Sequence, residues 1–350
     1  MKWLALILML IGSGFVRPVA ADAVDDLVRD QMNRHPIPGL ALEIVRNGKP
    51  AKIAGYGLAN LEWRTPVTPQ TVFEVGSITK QFTAAAILLL AQEGKLAVDD
   101  RISRYLKDVP ESWRNITLRH LLTHTSGIKN YTALDGFELT RHLTQAQFIR
   151  KMGGYPLDFA PGEKWSYCNS GFNLLGFVIE NVSGEDYWQF MQQRIFGPLG
   201  MSSTTHRDPR GIIRLRASGY ETDGGGHYVN RDYDLTDVFS AGAIVSTVED
   251  LAKWNAALDA QQLLTEASRQ AMWTPVRLNN GSTHDYGFGW FLNPLNGRQN
   301  IGHSGSTSGF SASLQRFPKD GLAVIVLTNS NEEGIATQVA REIALLYLGK

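Results

Sequence analysis

The chain has 350 residues, 34 basic and 34 acidic, with 43% hydrophobic and 19% charged residues and a formal net charge of +0. That composition fits a globular protein of one large or two smaller lobes and excludes disordered and collagen-like chains. Evenly mixed charge gives no electrostatic footing for nucleic acid or an anionic membrane surface, which leaves a small molecule as the expected partner.

Met1-Lys2-Trp3 is followed by an apolar run from Leu4 to about Phe15 and by small residues up to Ala21. This reads as a secretory leader over 1–21, cleaved near Ala21 or Ala23. It predicts a periplasmic or secreted protein with no stable membrane insertion after cleavage, because the run is too short to span a bilayer comfortably. Cys168 is the only cysteine, so no intrachain disulfide can form, and a small buried spacer is its expected role.

Val24, Leu27, Val28 and Met32 recur at helical spacing until His35-Pro36-Ile37-Pro38-Gly39 stops the pattern. Leu40, Leu42 and Ile44 alternate as a strand, Asn47-Gly48 makes a turn, and residues 52–57 return as the hairpin partner. From Ser77 to about Gln92 the residues are apolar nearly all round, which predicts a helix buried on most sides and closed by Gly94.

Helical patterns at 118–122, 172–182, 186–196 and 248–258 then alternate with Pro and Gly loops. Beyond Tyr286 strands are predicted at 288–292, 310–317 and 322–327, followed by a last helix at about 335–348. The fold class expected is α/β (α+β). An antiparallel sheet from about 22–76 and 260–350 is flanked by N- and C-terminal helices, with a mostly helical lobe of about 77–259 inserted and Ser77 between the two.

Ser77-Ile78-Thr79-Lys80 opens the buried helix. One helical turn separates the Ser77 hydroxyl from the Lys80 amine, so a weak nucleophile sits beside a group able to take its proton. Ser126-Gly127-Ile128-Lys129 matches the same pattern, but Gly127 follows the end of a helical stretch and should point Lys129 away. His120 and His124 are four apart, yet no H-E-x-x-H glutamate accompanies them, so packing is expected rather than zinc. No G-x-S-x-G elbow occurs; residues 302–306 miss it by one position.

Two further elements stand in order behind the first: Tyr167-Cys168-Asn169 after Pro161-Gly162, and His303-Ser304-Gly305-Ser306 between the last strands. The ordered set S-x-x-K, Y-x-N and H-x-G resembles the serine β-lactamase and penicillin-binding-protein superfamily. It is most like the class C, peptidase S12 and family VIII esterase branch. The likeness spans most of the chain, including LRHLLTHTSGI at 118–128, YCNSGFNLLG at 167–176 and GHSGSTSGF at 302–310.

The resemblance implies a β-lactamase/transpeptidase-like fold and a serine hydrolase that needs neither metal nor cofactor. Ser77 would be the acylated nucleophile, Lys80 and Tyr167 the proton-transfer pair, and Asn169 a partner of Lys80 and substrate. The N–H groups of Ser77 and Ser306, the latter next to Gly305 of H-x-G, would form the oxyanion hole, worth about 3 kcal/mol per donor. Either a neutral Lys80 or a Tyr167 phenolate favoured by charged Lys80 can serve as base.

His303 departs from the lysine of the lactamase pattern. Histidine is only partly charged near neutral pH, which weakens the hold on a substrate carboxylate. The resemblance then implies a small ester first, a D-amino-acid peptide second and a β-lactam third. Its rival is a penicillin-binding or cell-wall-associated protein that acylates and turns over slowly.

Overall fold

Asn47 and Gly48 both adopt left-handed φ, 51° and 73°, the backbone that a two-residue hairpin demands. They join the strands Gly39–Arg46 and Lys49–Asn60 in the computed structural model, which describes residues 21–135, 143–231 and 235–349. The leader expected over 1–21 lies outside the described residues, apart from Ala21.

The hairpin supplies the fourth and fifth strands of a six-stranded antiparallel sheet made from both ends of the chain. Its order is Ile301–Thr307, Phe310–Phe317, Leu322–Thr328, Gly39–Arg46, Lys49–Asn60 and Thr65–Pro66. Leu42 lies opposite Val326, and Ser306 opposite Ser311.

Side chains alternate across a strand, so this sheet buries two different faces. Leu40, Leu42, Ile44, Val324 and Val326 pack with Val24 and Val28 of the helix Ala21–Arg34 and with Val339 and Ile343 of the helix Ile335–Leu348. Ala41, Ala312, Leu314, Ile325 and Leu327 join the larger core on the opposite face.

The helix Thr79–Gln92 lies inside that larger core, with 12 of its residues buried. Each fully buried Leu or Ile contributes roughly 1.5–3 kcal/mol. Packing rather than helix propensity therefore fixes its first turn. Gly94, at φ 70°, follows its end.

Helices at Leu118–Leu122, Asn169–Ser183 and Val248–Ala260 fall where the periodicity places them. The predicted helix over 186–196 is an α-turn, Tyr187–Met191, continued as a π-helix. The intervening region also carries short strand pairs that periodicity does not show, such as Phe73–Glu74 against Ile244–Ser246. No helix among the described residues is long and apolar enough to cross a membrane.

One predicted strand is absent. Residues 288–292 form irregular backbone with single bridges at Phe291, and the edge of the sheet is Ile301–Thr307 instead. Gly289 explains it: its φ is 77°, and a Cβ there would stand 2.7 Å from the Lys80 carbonyl oxygen. This glycine lets the chain cross directly over the turn that bears Lys80.

Candidate active site

Ser77 sits in the 3₁₀ turn Gly76–Ile78 that feeds the buried helix. The turn presses against the edge strand. Gly76 has φ 51°, and a Cβ on it would lie 2.7 Å from the Ser306 nitrogen. A Cβ on Gly305 would lie 1.9 Å from the Val75 oxygen and 3.1 Å from the Ser77 nitrogen. Only glycine fits at either position, so the backbone at Ser77 packs directly against the backbone at Ser306.

Lys80 is 0% exposed, and its Nζ has three partners. Ser77 Oγ is 2.9 Å away, Asn169 Oδ1 2.8 Å and the Ala241 carbonyl oxygen 2.7 Å. None is a carboxylate. Burial therefore holds the amine well below its ordinary pKa, because the charged form loses water without gaining a counter-ion.

A neutral Lys80 keeps two N–H donors for the two carbonyl oxygens and turns its lone pair to Ser77. Its Nζ also lies 4.8 Å from the centre of the Tyr167 ring. The Tyr167 hydroxyl is in hydrogen-bond contact with Ser77, yet burial raises its pKa above the ordinary phenol value.

Asn169 begins the helix Asn169–Ser183, and its side chain faces Lys80 rather than capping the helix. Its amide nitrogen donates to Thr132 Oγ1 at 2.9 Å, which orients the carbonyl oxygen toward Nζ. Its backbone N–H donates to Asn130 Oδ1 at 3.0 Å. The neighbouring Ser170 hydroxyl donates to the Lys129 carbonyl at 2.6 Å, and Cys168 Sγ lies 3.2 Å from the Ile128 carbonyl.

The second S-x-x-K copy is thus the cradle of the Y-x-N motif. Its Lys129 amine pairs with Asp158, away from Ser126. Cys168 is buried, and burial raises its thiol pKa, consistent with a spacer. Asn130, Thr132 and the Ala241 carbonyl escaped the sequence reading, since no motif marks a supporting amide or a main-chain oxygen.

His303 does not present itself as a cation to the site. It is 2% exposed, and burial pushes its pKa down to about 3. Nε2 is 3.0 Å from the Tyr286 hydroxyl and Nδ1 is 2.6 Å from the Ser304 carbonyl oxygen. Ser304 and Ser306 point to the opposite face and reach solvent.

His120 and His124 do not face one another. His120 Nδ1 accepts from the Thr117 N–H at 3.2 Å, while His124 lies buried beneath Tyr167, ring centres 4.3 Å apart. Among the described residues no group of three or more His, Cys, Asp or Glu side chains is placed to hold a metal. A cavity of about 810 Å³ is lined by Phe148, Phe177, Trp188 and Phe239, among others, and does not include Ser77, Lys80 or Tyr167.

A family model described as Beta-lactamase matches residues 24–348, nearly the whole chain. The chain belongs to the β-lactamase family. It is 33% identical over 299 residues to penicillin-binding protein 4* of Bacillus subtilis, a match covering 79% of this chain and 65% of that protein. It therefore spans less than two thirds of that relative's length.

Among solved structures it resembles the octameric penicillin-binding protein homologue from Pyrococcus abyssi, with a TM-score of 0.84 and 28% identity over 95% of this chain and 78% of that one. The D-amino acid amidase from Ochrobactrum anthropi SV3, complexed with L-phenylalanine amide, gives a TM-score of 0.81 and 25% identity over 93% and 97%. Members of this β-lactamase-like family are serine hydrolases, and the mixed α/β architecture is theirs.

Proposed function

We propose that the chain is an exported serine hydrolase that forms an acyl-enzyme on Ser77 from an ester or amide donor and releases it to water. The observation that carries this is the fully buried Lys80 amine, 2.9 Å from Ser77 Oγ with no carboxylate among its partners. The neutral amine takes the Ser77 proton as Oγ bonds to the acyl carbon, and the Ser77 and Ser306 N–H groups stabilise the oxyanion.

Tyr167, kept as a phenol, hands its proton to the departing alcohol or amine and is reprotonated from Lys80. Water then enters by the reverse path, the carboxylic acid leaves, and Ser77 regains its hydrogen. The raised Tyr167 pKa and the lowered Lys80 pKa both favour Lys80 over a phenolate as the base.

The acyl donor follows from His303. Buried and neutral, it offers no fixed cation to a substrate carboxylate, which favours neutral esters and D-amino-acid amides or peptides over β-lactams. Likeness to a D-amino acid amidase supports the amide arm. The reading includes a leader over 1–21, a periplasmic or secreted location, and reacting groups between an α/β lobe (22–76, 260–350) and a helical lobe (77–259).

Likeness to penicillin-binding proteins favours a second reading, a binder that acylates and turns over slowly. Intact mass followed over time, with a fluorophosphonate and a tagged penicillin as probes and a small ester as substrate, separates the two. A fluorophosphonate adduct on Ser77 together with ester turnover supports the enzyme. A penicillin adduct that persists without ester turnover supports the binder, and no adduct with either probe sinks both.

A further inference from the structure

Behind Tyr167 runs a chain of hydrogen bonds whose direction is fixed at both ends. The Cys168 backbone N–H, which can only donate, lies 3.1 Å from His124 Nδ1. The Ser304 carbonyl oxygen, which can only accept, lies 2.6 Å from His303 Nδ1. Between them the Tyr286 hydroxyl is 3.1 Å from His124 Nε2 and 3.0 Å from His303 Nε2.

One neutral arrangement satisfies every link. His124 accepts at Nδ1 and carries its proton on Nε2; Tyr286 accepts from it and donates to His303 Nε2; His303 carries its proton on Nδ1. The two histidines are thus held as opposite tautomers. A proton added to His124 Nδ1 would set two donors against each other at Cys168. All three side chains are buried, and burial disfavours the charged form of each.

The ends of this chain belong to the two walls of the candidate site. Cys168 follows Tyr167, and Ser304 is two residues from the Ser306 amide, on the strand that Gly305 holds against Ser77. We propose that His124, Tyr286 and His303 act as positioning residues, a proton-ordered strut that fixes the Tyr167 hydroxyl against the Ser306 oxyanion amide. Its catalytic meaning rests on the acyl-enzyme reading above. Its His303 end stands where the related pattern carries a lysine, so this site keeps its geometry through neutral hydrogen bonds.

Two measurements test it. In the wild-type protein at pH 7, ¹⁵N chemical shifts of the imidazoles should show His124 protonated on Nε2 and His303 on Nδ1. Matching tautomers, or an imidazolium at either ring, would overturn the strut. Tyr286→Phe keeps the ring packed on Phe291, 4.8 Å between centres, and removes only the hydroxyl.

That variant should lower kcat for a small ester about tenfold with KM within about twofold, the signature of misplaced reacting groups. His124→Gln breaks the neighbouring link and should give a similar loss, and the double variant should lose little more than the worse single one. An unchanged kcat, or a loss confined to KM, would overturn the positioning role. If Tyr286→Phe does not fold, His124→Gln and the wild-type spectra decide. Opposite tautomers in a protein whose Ser77 takes no acyl label would sink the acyl-enzyme reading and leave the ordered chain standing; matching tautomers with a labelled Ser77 would do the reverse.

Discussion

Two copies of the same four-residue pattern lie 49 positions apart in this chain, at 77–80 and 126–129, and they are folded into opposite surroundings. In the first, the lysine is fully buried among three uncharged partners, one of them the serine hydroxyl. In the second, Gly127 has φ 75° and packs so tightly on Phe159 that a Cβ would lie 2.1 Å from its oxygen. No helix continues there. Lys129 turns outward to Asp158, a pair whose side chains are 34% and 41% exposed.

The comparison shows that one pattern can hold a lysine buried without a counter-charge or exposed and paired, and on the acyl-enzyme reading only the first can act as a base. Its sharpest test is the pair of serine variants. Ser77→Ala should lower kcat/KM by about 10⁴-fold or more, the scale of removing a nucleophile, while Ser126→Ala should stay within about threefold. Ester hydrolysis with purified variants of verified fold measures both. Equal losses would mean that the wrong serine had been chosen.

The next effect in size concerns the lysine. Lys80→Arg puts a permanently charged group where a neutral amine is needed, and should cost about 10²–10⁴ in kcat. The wild-type profile carries the matching sign. Only the neutral amine can accept the Ser77 proton, so kcat/KM should rise with pH through the depressed Lys80 pKa. It should then stay level to about pH 9, where an ordinary lysine is still charged. Wild-type activity in the arginine variant, or a limb at ordinary lysine pH, would move the base to another group.

This contrast also marks what the letters could reveal. The terminal helices, the hairpin and the buried helix were legible because period and turn chemistry decide them locally; Asn47-Gly48 and the largely apolar run from Phe82 to Leu90 admit few alternatives. Ser77, Lys80 and Asn169 converge as their order along the chain implied. The absent strand at 288–292 and the state of His303 share another cause.

Gly289 departs from strand geometry to clear Lys80, a neighbour more than 200 positions away. His303 is neutral because burial disfavours its charged form, in a pocket that the distant Tyr286 helps to close. Neither fact has a local signature. Long-range contact decides them, as it decides that the Ala241 carbonyl is the third partner of Lys80.

Lys80 is not alone in being buried with a shifted pKa, and Glu43 is a second case outside the Ser77 site. On the strand Gly39–Arg46 it is 3% exposed, and its pKa is raised to about 7, chiefly by burial and then by the Glu249 charge. The folded protein therefore prefers the protonated carboxyl. The preference gives full stability below about pH 4.5, and stability is lost progressively as pH rises to about 7.

Glu43→Gln should match the wild type in denaturant stability at pH 4 and exceed it by about 3 kcal/mol at pH 8, with kcat unchanged. A constant difference across that range would show that Glu43 does not titrate there. A changed kcat would show that a perturbed carboxyl outside the Ser77 site takes part in turnover.

The smallest effect comes from the outward lysine. Lys129→Ala removes one partner of an ion pair that water screens, which is worth at most about 1 kcal/mol. What residues 128–130 do for the site passes through other groups. The Ile128 and Lys129 carbonyls hold Cys168 and Ser170, and the Asn130 side chain holds the Asn169 N–H. None of these contacts needs the Lys129 amine. Chemical denaturation should therefore shift by no more than that amount, with ester turnover within about twofold of wild type. A loss near that of Lys80→Arg would mean that this amine reaches the reacting atoms, and the two copies of the motif would no longer differ in kind.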